Sequence, residues 1–543
     1  MKAIGFVSIV ALAAAQATMG CTGDEPQASP GEDGGREGAG WPTIEAGPPD
    51  AAAGDAPSSC PTGSVECSGA CVVGACAFAV TSIDPVSPSV GGARDWVNGG
   101  TFFVLHGNGF AKGMHVLLGD GRAAVRVADA QTATIQAPPG AAGTVDVTIS
   151  LGSATGITKG AFTYLQGSVD ATTPWSKVNT SSVHGDVPAV AITSDGRALV
   201  TGGLVAANYA QSAYTFTEVG DLFSLAAPSM TVPAASTMHT QRWNHSMVTL
   251  LTGQTMVVSA AGVSTWPTTD SKVVDLFDPS TNSFVLSKAT PLEGFQGGRS
   301  ILLVDGRVLV TSYAETTAEI YDPDSDSFSA VPGAPSIAYY QEQGYFYLAR
   351  LRDGRVLLTA GQGAHAYLFD SDAGTFTDAG PGPAPGPDGV FTLPDGRVVA
   401  VGGSVVGGLT GSASAEVWIF DPKAGGGFVK AGYSLLAPRA VSATAMQRDG
   451  SILVVGGSTG TFPAPYTCGA SNANENVTAQ VDRVDPVLGT VTPFAALPEP
   501  NSYVVAATLL DGSVVVAGGG ICGATAGATL YPYVYFRQAP HIN

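Results

Sequence analysis

The chain has 543 residues, with 71 glycines, 36 prolines and only 13% charged side chains. This turn-rich composition suits an all-β protein long enough for several domains and gives no sign of a helical one. Against 24 basic residues stand 44 acidic ones, a formal net charge of -20, which excludes the basic footprint that nucleic acid requires and disfavours adhesion to an anionic membrane surface.

From the N-terminus, Lys2 and the apolar run Ala3 to Ala15 read as an export signal over residues 1–20, too short to span a bilayer. Two cleavage points compete. Ala15-Gln16-Ala17 suits an ordinary signal peptidase, whereas Thr18-Met19-Gly20-Cys21 resembles a degenerate bacterial lipobox with Cys21 as the lipidated residue. Residues 21–59 carry almost no large apolar side chain and cannot bury enough surface to offset chain entropy, so a disordered tether is expected. Cys60, Cys67, Cys71 and Cys76 follow in a cluster over residues 60–79. In an exported chain this predicts two disulfides, with all three connectivities open.

Residues 80–165 hold short apolar runs, among them 101–105, 114–118, 123–127, 132–136 and 144–150, separated by turn signals such as Gly119-Asp120-Gly121. They predict an immunoglobulin-like β-sandwich. With Ile83-Asp84-Pro85 at its start and Gly107-Asn108-Gly109-Phe110 after its first long strand, the segment resembles the IPT/TIG family, which implies a spacer or binding module without catalytic residues.

The rest, residues 170–540, is organised by one repeated phrase. DGRVVAVGG from Asp395 returns at Asp195, Asp353, Asp449 and Asp511, with worn copies at Asp305 and Thr252, about 53 residues apart on average. That period suits propeller blades and is too long for helical solenoids. Each copy follows an apolar strand, so Asp-Gly predicts a hairpin. A second phrase, such as LFDPSTNSF from Leu276 or IYDPDSDSF from Ile320, predicts another, giving four strands per unit. The pattern resembles the kelch repeat in its galactose-oxidase-like form, which implies a seven-bladed β-propeller. The last unit lacks its Asp-Pro hairpin, and an isolated Trp175-Ser176-Lys177-Val178 precedes the first. The N-terminal segment is therefore expected to supply the outer strand of the last blade and leave no open edge.

Strand topology puts the Asp-Gly and Asp-Pro turns on one face and the long, variable loops on the other. Counting ten residues back from each Asp-Gly turn places Arg242, Gln343, Arg439 and Asn501 at the channel opening. Trp243, His245, Arg299, Tyr340, Tyr345 and Tyr503 lie near them in sequence. Aromatic platforms with amides and arginines suit a sugar or a peptide. Cys468 and Cys522 fall in loops of adjacent blades and are expected to pair, leaving Cys21 as the odd cysteine of seven. A copper-radical oxidase of the galactose-oxidase type would need a Tyr-His dipeptide, which is missing, and there is no G-x-S-x-G, H-E-x-x-H or phosphate loop.

The expectation is an exported, cell-envelope lipoprotein, monomeric, with no cofactor, no metal and no catalytic residue assigned. It would meet the membrane only through its lipid and recognise an extracellular glycan or protein on the long-loop face. A carbohydrate-active hydrolase or oxidase at the channel mouth is the alternative, and a non-binding scaffold the second.

Overall fold

A computed structural model describes residues 64–67, 70–73, 78–87, 91–208, 213–224, 231–259, 272–295, 297–311, 318–335, 346–360, 364–407, 410–463, 476–522 and 528–539. The expected signal, the tether, Cys21, Cys60, Cys76 and Cys468 lie outside these residues. The strands Ser64–Cys67 and Ala70–Val73 pair antiparallel, with Cys67 opposite Ala70 and Cys71 opposite Glu66. Among the described residues there is no helix.

The sandwich has two sheets. Ala79–Pro85, Phe102–Asn108, Thr132–Gln136 and Ala124–Val127 form one; Arg94–Trp96, Ala154–Leu165, Gly143–Leu151, His115–Leu118 and Gly121–Arg122 form the other. Their inward residues, including Phe103, Leu105, Val116, Ile135, Ile149 and Phe162, share one core. Ala79–Pro85, Gly121–Arg122, Arg94–Trp96 and Ala154–Leu165 lie outside the five predicted runs. Arg94–Trp96 is only three residues long, and Ala154–Leu165 presents mixed polar residues on a half-exposed surface.

Among the described residues, seven further antiparallel sheets each have four main strands. Their first strands are Ala189–Ile192, Ser246–Thr249, Arg299–Leu302, Phe346–Arg350, Gly389–Thr392, Ala443–Met446 and Ser502–Thr508. Each neighbours the next, and the last neighbours the first, so they line a closed ring. The second strands Ala198–Thr201, Val308–Thr311, Val398–Val401 and Ile452–Val455 are buried at every residue. A sheet packed on both faces has no polar side to alternate, which is why these stretches read as continuous apolar runs. The cores lie between adjacent sheets: Ala198, Val200 and Phe223 of the first pack against Val515, Val534 and Phe536 of the seventh, each large side chain contributing about 1.5–3 kcal/mol.

The repeated phrase has a local cause. In four copies the aspartate of Asp-Gly-Arg accepts from the arginine Nε, as Asp305 does from Arg307 at 2.7 Å. The seven turn glycines all sit at φ between +83° and +96°, a conformation that penalises a Cβ. Both members of the glycine pair also have positive φ, and a Cβ on Gly403 would stand 1.8 Å from the Gly386 carbonyl oxygen. The worn second copy keeps Ser259 at φ +81° in the first of these positions.

Ser176–Asn179 pairs antiparallel with Tyr533–Arg537 and completes the seventh sheet, as the isolated Trp175–Val178 stretch predicts. Lys177 Nζ donates to Glu499 at 2.7 Å and lies 4.5 Å over the Tyr533 ring, while Tyr533 and Tyr535 donate to the same carboxylate. Two of the expected loops differ: Leu204–Asn208 pairs antiparallel with Ala213–Phe216, and Ser404–Gly407 with residues 410–413, after the glycine pair.

The sandwich covers the ring face that carries the Asp-Gly turns. Val125 N donates to Val304 O at 2.9 Å and Arg122 N to Arg352 O at 2.7 Å. Arg122 binds Asp372 through two bonds of 2.6 and 3.0 Å, Arg126 binds Asp324 at 2.6 Å, and Arg352 reaches Asp120. On the other side of the ring the Trp96 indole donates to Leu510 O at 3.0 Å beneath the Arg448 guanidinium, and Ser87 Oγ donates to Asp195 O.

Candidate functional site

With one ring face occupied, the channel opens on the other, where a cavity of about 290 Å³ is lined by residues including Asn244, His245, Arg299, Tyr347, Asp388 and Tyr503. Its collar is built from backbone. Val187, Asn244, Val441 and Tyr503, each eight residues before its turn, all hold φ between +49° and +59°, and Gly297 holds +54° at the matching place. Asn244 N donates to Val187 O (3.1 Å), Val187 N to Tyr503 O (3.1 Å) and Tyr503 N to Val441 O (2.9 Å), passing the collar from sheet to sheet. In the fifth sheet the matching residue is Pro387, whose ring forbids positive φ. There the Asp388 carboxylate takes over, accepting from Val441 N and Ser442 N at 3.0 Å each and from Ser442 Oγ at 2.5 Å.

Burial pushes the Asp388 carboxyl from 3.8 up to about 6, against the pull of those donors. An acid whose folded-state pKa lies above its unfolded value stabilises the fold while protonated. That contribution is complete below the unfolded pKa of 3.8 and is lost as pH rises through about 6. Relative to Asp388→Asn, the wild type is expected to lose about 2–3 kcal/mol of stability between pH ~4 and pH ~7, at about 1.4 kcal/mol per pKa unit. Paired urea titrations across that range check it, and parallel pH profiles for the two proteins would refute it.

Tyr347 holds the same region by donating to Asp388 O at 2.7 Å. Arg299, half-buried, reaches Gly298 O at 3.1 Å and Asn244 Oδ1 at 3.4 Å. His245 is buried with Nε2 2.7 Å from Thr201 Oγ1, and its Nδ1 has no hydrogen-bond partner among the described residues. Burial, reinforced by the charges of Arg242, His184 and Arg299, holds its pKa well below 6.5, so the imidazole is neutral.

Of the residues expected at the mouth, His245, Arg299 and Tyr503 line the cavity. Trp243 does not; it is half-buried with its ring 6.0 Å from that of Phe216. Tyr340, Gln343 and Tyr345 lie outside the described residues, as do the side chains of Cys67, Cys71 and Cys522. Arg242, Arg439 and Asn501 require correction, because all three are fully buried. Arg242 donates to Ser259 O, Val273 O and Asp275 Oδ2; Arg439 donates to Gln480 Oε1 and Asp482 Oδ1; Asn501 Nδ2 donates to Gly518 O. Ten residues before the turn the chain is still inside its sheet, where Arg242 and Arg439 meet an acidic residue of the third strand, and only eight residues before the turn does it reach the collar. Those acidic residues, Asp221, Asp275, Glu319 and Asp482, are all buried and accept backbone amides from the incoming loop. An acid three residues ahead of the Asp-Pro phrase, as in Asp275-Leu276-Phe277-Asp278, marks Asp275, Glu319 and Asp482 in the sequence; Asp221 has no Asp-Pro phrase after it. Asp388 and Tyr347 have no such signal, since Asp388-Gly389 reads as an ordinary turn.

Residues 80–164 match the family described as IPT/TIG domain. No curated protein matches the chain. Among solved structures, a fungal alcohol oxidase of the AA5 family, in complex with copper, is similar at 17% identity and TM-score 0.51, over 68% of this chain and 76% of its own. A catalytically inactive virginiamycin B lyase from Staphylococcus aureus aligns at 9% identity and TM-score 0.43, over 67% of this chain and 99% of its own. The chain is thus an all-β protein in which an IPT/TIG sandwich precedes a structure of the β-propeller type.

Proposed function

We propose that this is an exported, lipid-anchored recognition protein, whose seven kelch-type blades bind an extracellular glycan or protein at the channel mouth. One observation carries the reading: the sandwich occupies the face of the Asp-Gly turns, so the concave surface left to a partner is the opposite mouth. Tyr347 and Tyr503 offer rings there, and Asn244 and Arg299 offer polar groups, the mixture that orients a sugar or a peptide segment. Cys21 would carry the lipid, the remaining six cysteines would form three disulfides, and the chain would act as a monomer.

Oxidase or hydrolase chemistry has less support. The copper of the AA5 oxidase finds no ligand set here: among the described residues no three His, Cys, Asp or Glu side chains converge. His184 is held by Asp221, His239 by Asp275 and His365 by Asp378, each within its own sheet. Among the described residues the carboxylate lining the mouth cavity is Asp388, which already holds three donors.

The test is a glycan array probed with the purified protein, alongside Arg299→Ala and Tyr347→Ala variants. A glycan bound by the wild type and lost about tenfold or more by both variants, roughly one stacked or charge-assisted contact each, is the expected result. A glycan bound equally by all three would exclude the mouth, and a blank array would leave a protein as the partner to be sought.

A further inference from the structure

Between the sandwich and the ring lies a second cavity, of about 470 Å³, at the other end of the channel. It shares Val190 and Met247 with the mouth cavity, so the two lie end to end along the axis. The sandwich contributes Trp96, Phe102 and Gln136 to its wall, and the ring contributes Leu302, Arg350 and Leu510. Arg350 is the last residue of the strand Phe346–Arg350. Its Nη1 donates to Leu302 O at 3.1 Å and its Nη2 to Gln136 Oε1 at 2.9 Å. Both acceptors are neutral.

Among the described residues no carboxylate lies within ion-pair distance of Arg350. Its neighbours are treated differently: Arg122 pairs with Asp372, Arg126 with Asp324, Arg352 with Asp120 and Arg355 with Asp353. The carboxylate of the chamber, Asp95, is spent on Trp96 N, Thr101 N and Thr101 Oγ1. A guanidinium taken out of water without a counter-charge is costly, and burial alone draws Arg350 down to about 10. A fold that pairs Arg122, Arg126, Arg352 and Arg355 with carboxylates and leaves Arg350 facing a chamber has room for an anion.

We infer that the chamber is a binding site for a small organic anion, a carboxylate with an apolar body, held by Arg350 at its charged end and by Trp96, Phe102 and Leu510 along its length. The volume falls within the range of small-molecule sites, and such sites favour domain interfaces. Gln136 Nε2 donates to Gly100 O at 3.4 Å, which turns the amide oxygen toward Arg350 and fixes the guanidinium. This site is separate from the channel-mouth surface and stands whether or not that surface binds a glycan.

The experiment uses the full chain, with octanoate as probe, octanol as its uncharged counterpart and sulfate as an anion without an apolar body. Thermal unfolding and native mass spectrometry are the readouts. Octanoate is expected to raise the melting temperature saturably and give a one-to-one adduct, whereas octanol and sulfate do not. Arg350→Met should weaken octanoate by about tenfold or more, as loss of a charge-assisted contact requires, while Arg350→Lys keeps part of the affinity. Equal stabilisation by octanol, undiminished binding by the methionine variant, or no saturable response to octanoate would each overturn the site. Should the methionine variant fail to fold, the wild-type comparison of octanoate with octanol decides alone.

Discussion

Arg242→Ala is expected to destabilise the protein by about 3–5 kcal/mol, the cost of stripping one partner from a buried ion pair. Both members are fully buried, with Arg242 Nη2 2.7 Å from Asp275 Oδ2. The other carboxylate oxygen accepts from His239, whose Nδ1 lies 2.5 Å away and whose backbone amide donates at 3.0 Å. Without the guanidinium, Asp275 keeps the His239 contacts and sits among the apolar residues of the second sheet. The double variant Arg242→Met, Asp275→Leu should recover most of the loss, because replacing a whole buried pair by apolar groups is often neutral. Urea denaturation of the three proteins measures this. A loss under about 1 kcal/mol for Arg242→Ala would mean that the pair behaves as a solvated surface bridge. The Arg439–Asp482 pair, at 3.2 Å and equally buried, should respond in the same sense.

Trp96→Ala carries the second large effect, about 3–5 kcal/mol for truncating a buried aromatic. Trp96 is 6% exposed, its indole N–H bonds to Leu510 O, and its ring lies 4.9 Å from the Arg448 guanidinium carbon. It ties the sandwich to the seventh and sixth sheets, while Arg122 and Arg126 tie it to the fourth and third. The consequence is cooperative: sandwich and ring should melt in one calorimetric transition in the wild type, and the variant should separate a sandwich transition from that of the ring. Two independent transitions in the wild type would show that the sandwich is a tethered module with no part in closing the channel.

How much of this was legible beforehand depends on the range of the physics involved. Asp-Gly-Arg turns, glycine pairs and four-strand units are set by φ requirements and hydrogen bonds within a few residues, so a sevenfold repetition of one phrase declares them. Ring closure by Ser176–Asn179 was legible as well, because an unmatched strand at each end leaves one pairing to be made. The site was legible only in part. His245, Arg299 and Tyr503 reach the mouth, but Arg242, Arg439 and Asn501 differ from them by only a few positions and are turned inward to buried partners.

Sequence by itself determined the all-β class, the repeat, its turns and the sandwich segment, since each rests on local backbone preference and on periodicity. Tertiary structure alone decided which ring face the sandwich covers, and why Asp388 replaces a backbone carbonyl in the collar. It also decided that Arg350 faces a chamber with no counter-charge among the described residues. Contacts such as Trp96 to Leu510 or Arg350 to Gln136 join residues hundreds of positions apart. Their free energy comes from desolvation and packing at surfaces that exist only once the ring has closed.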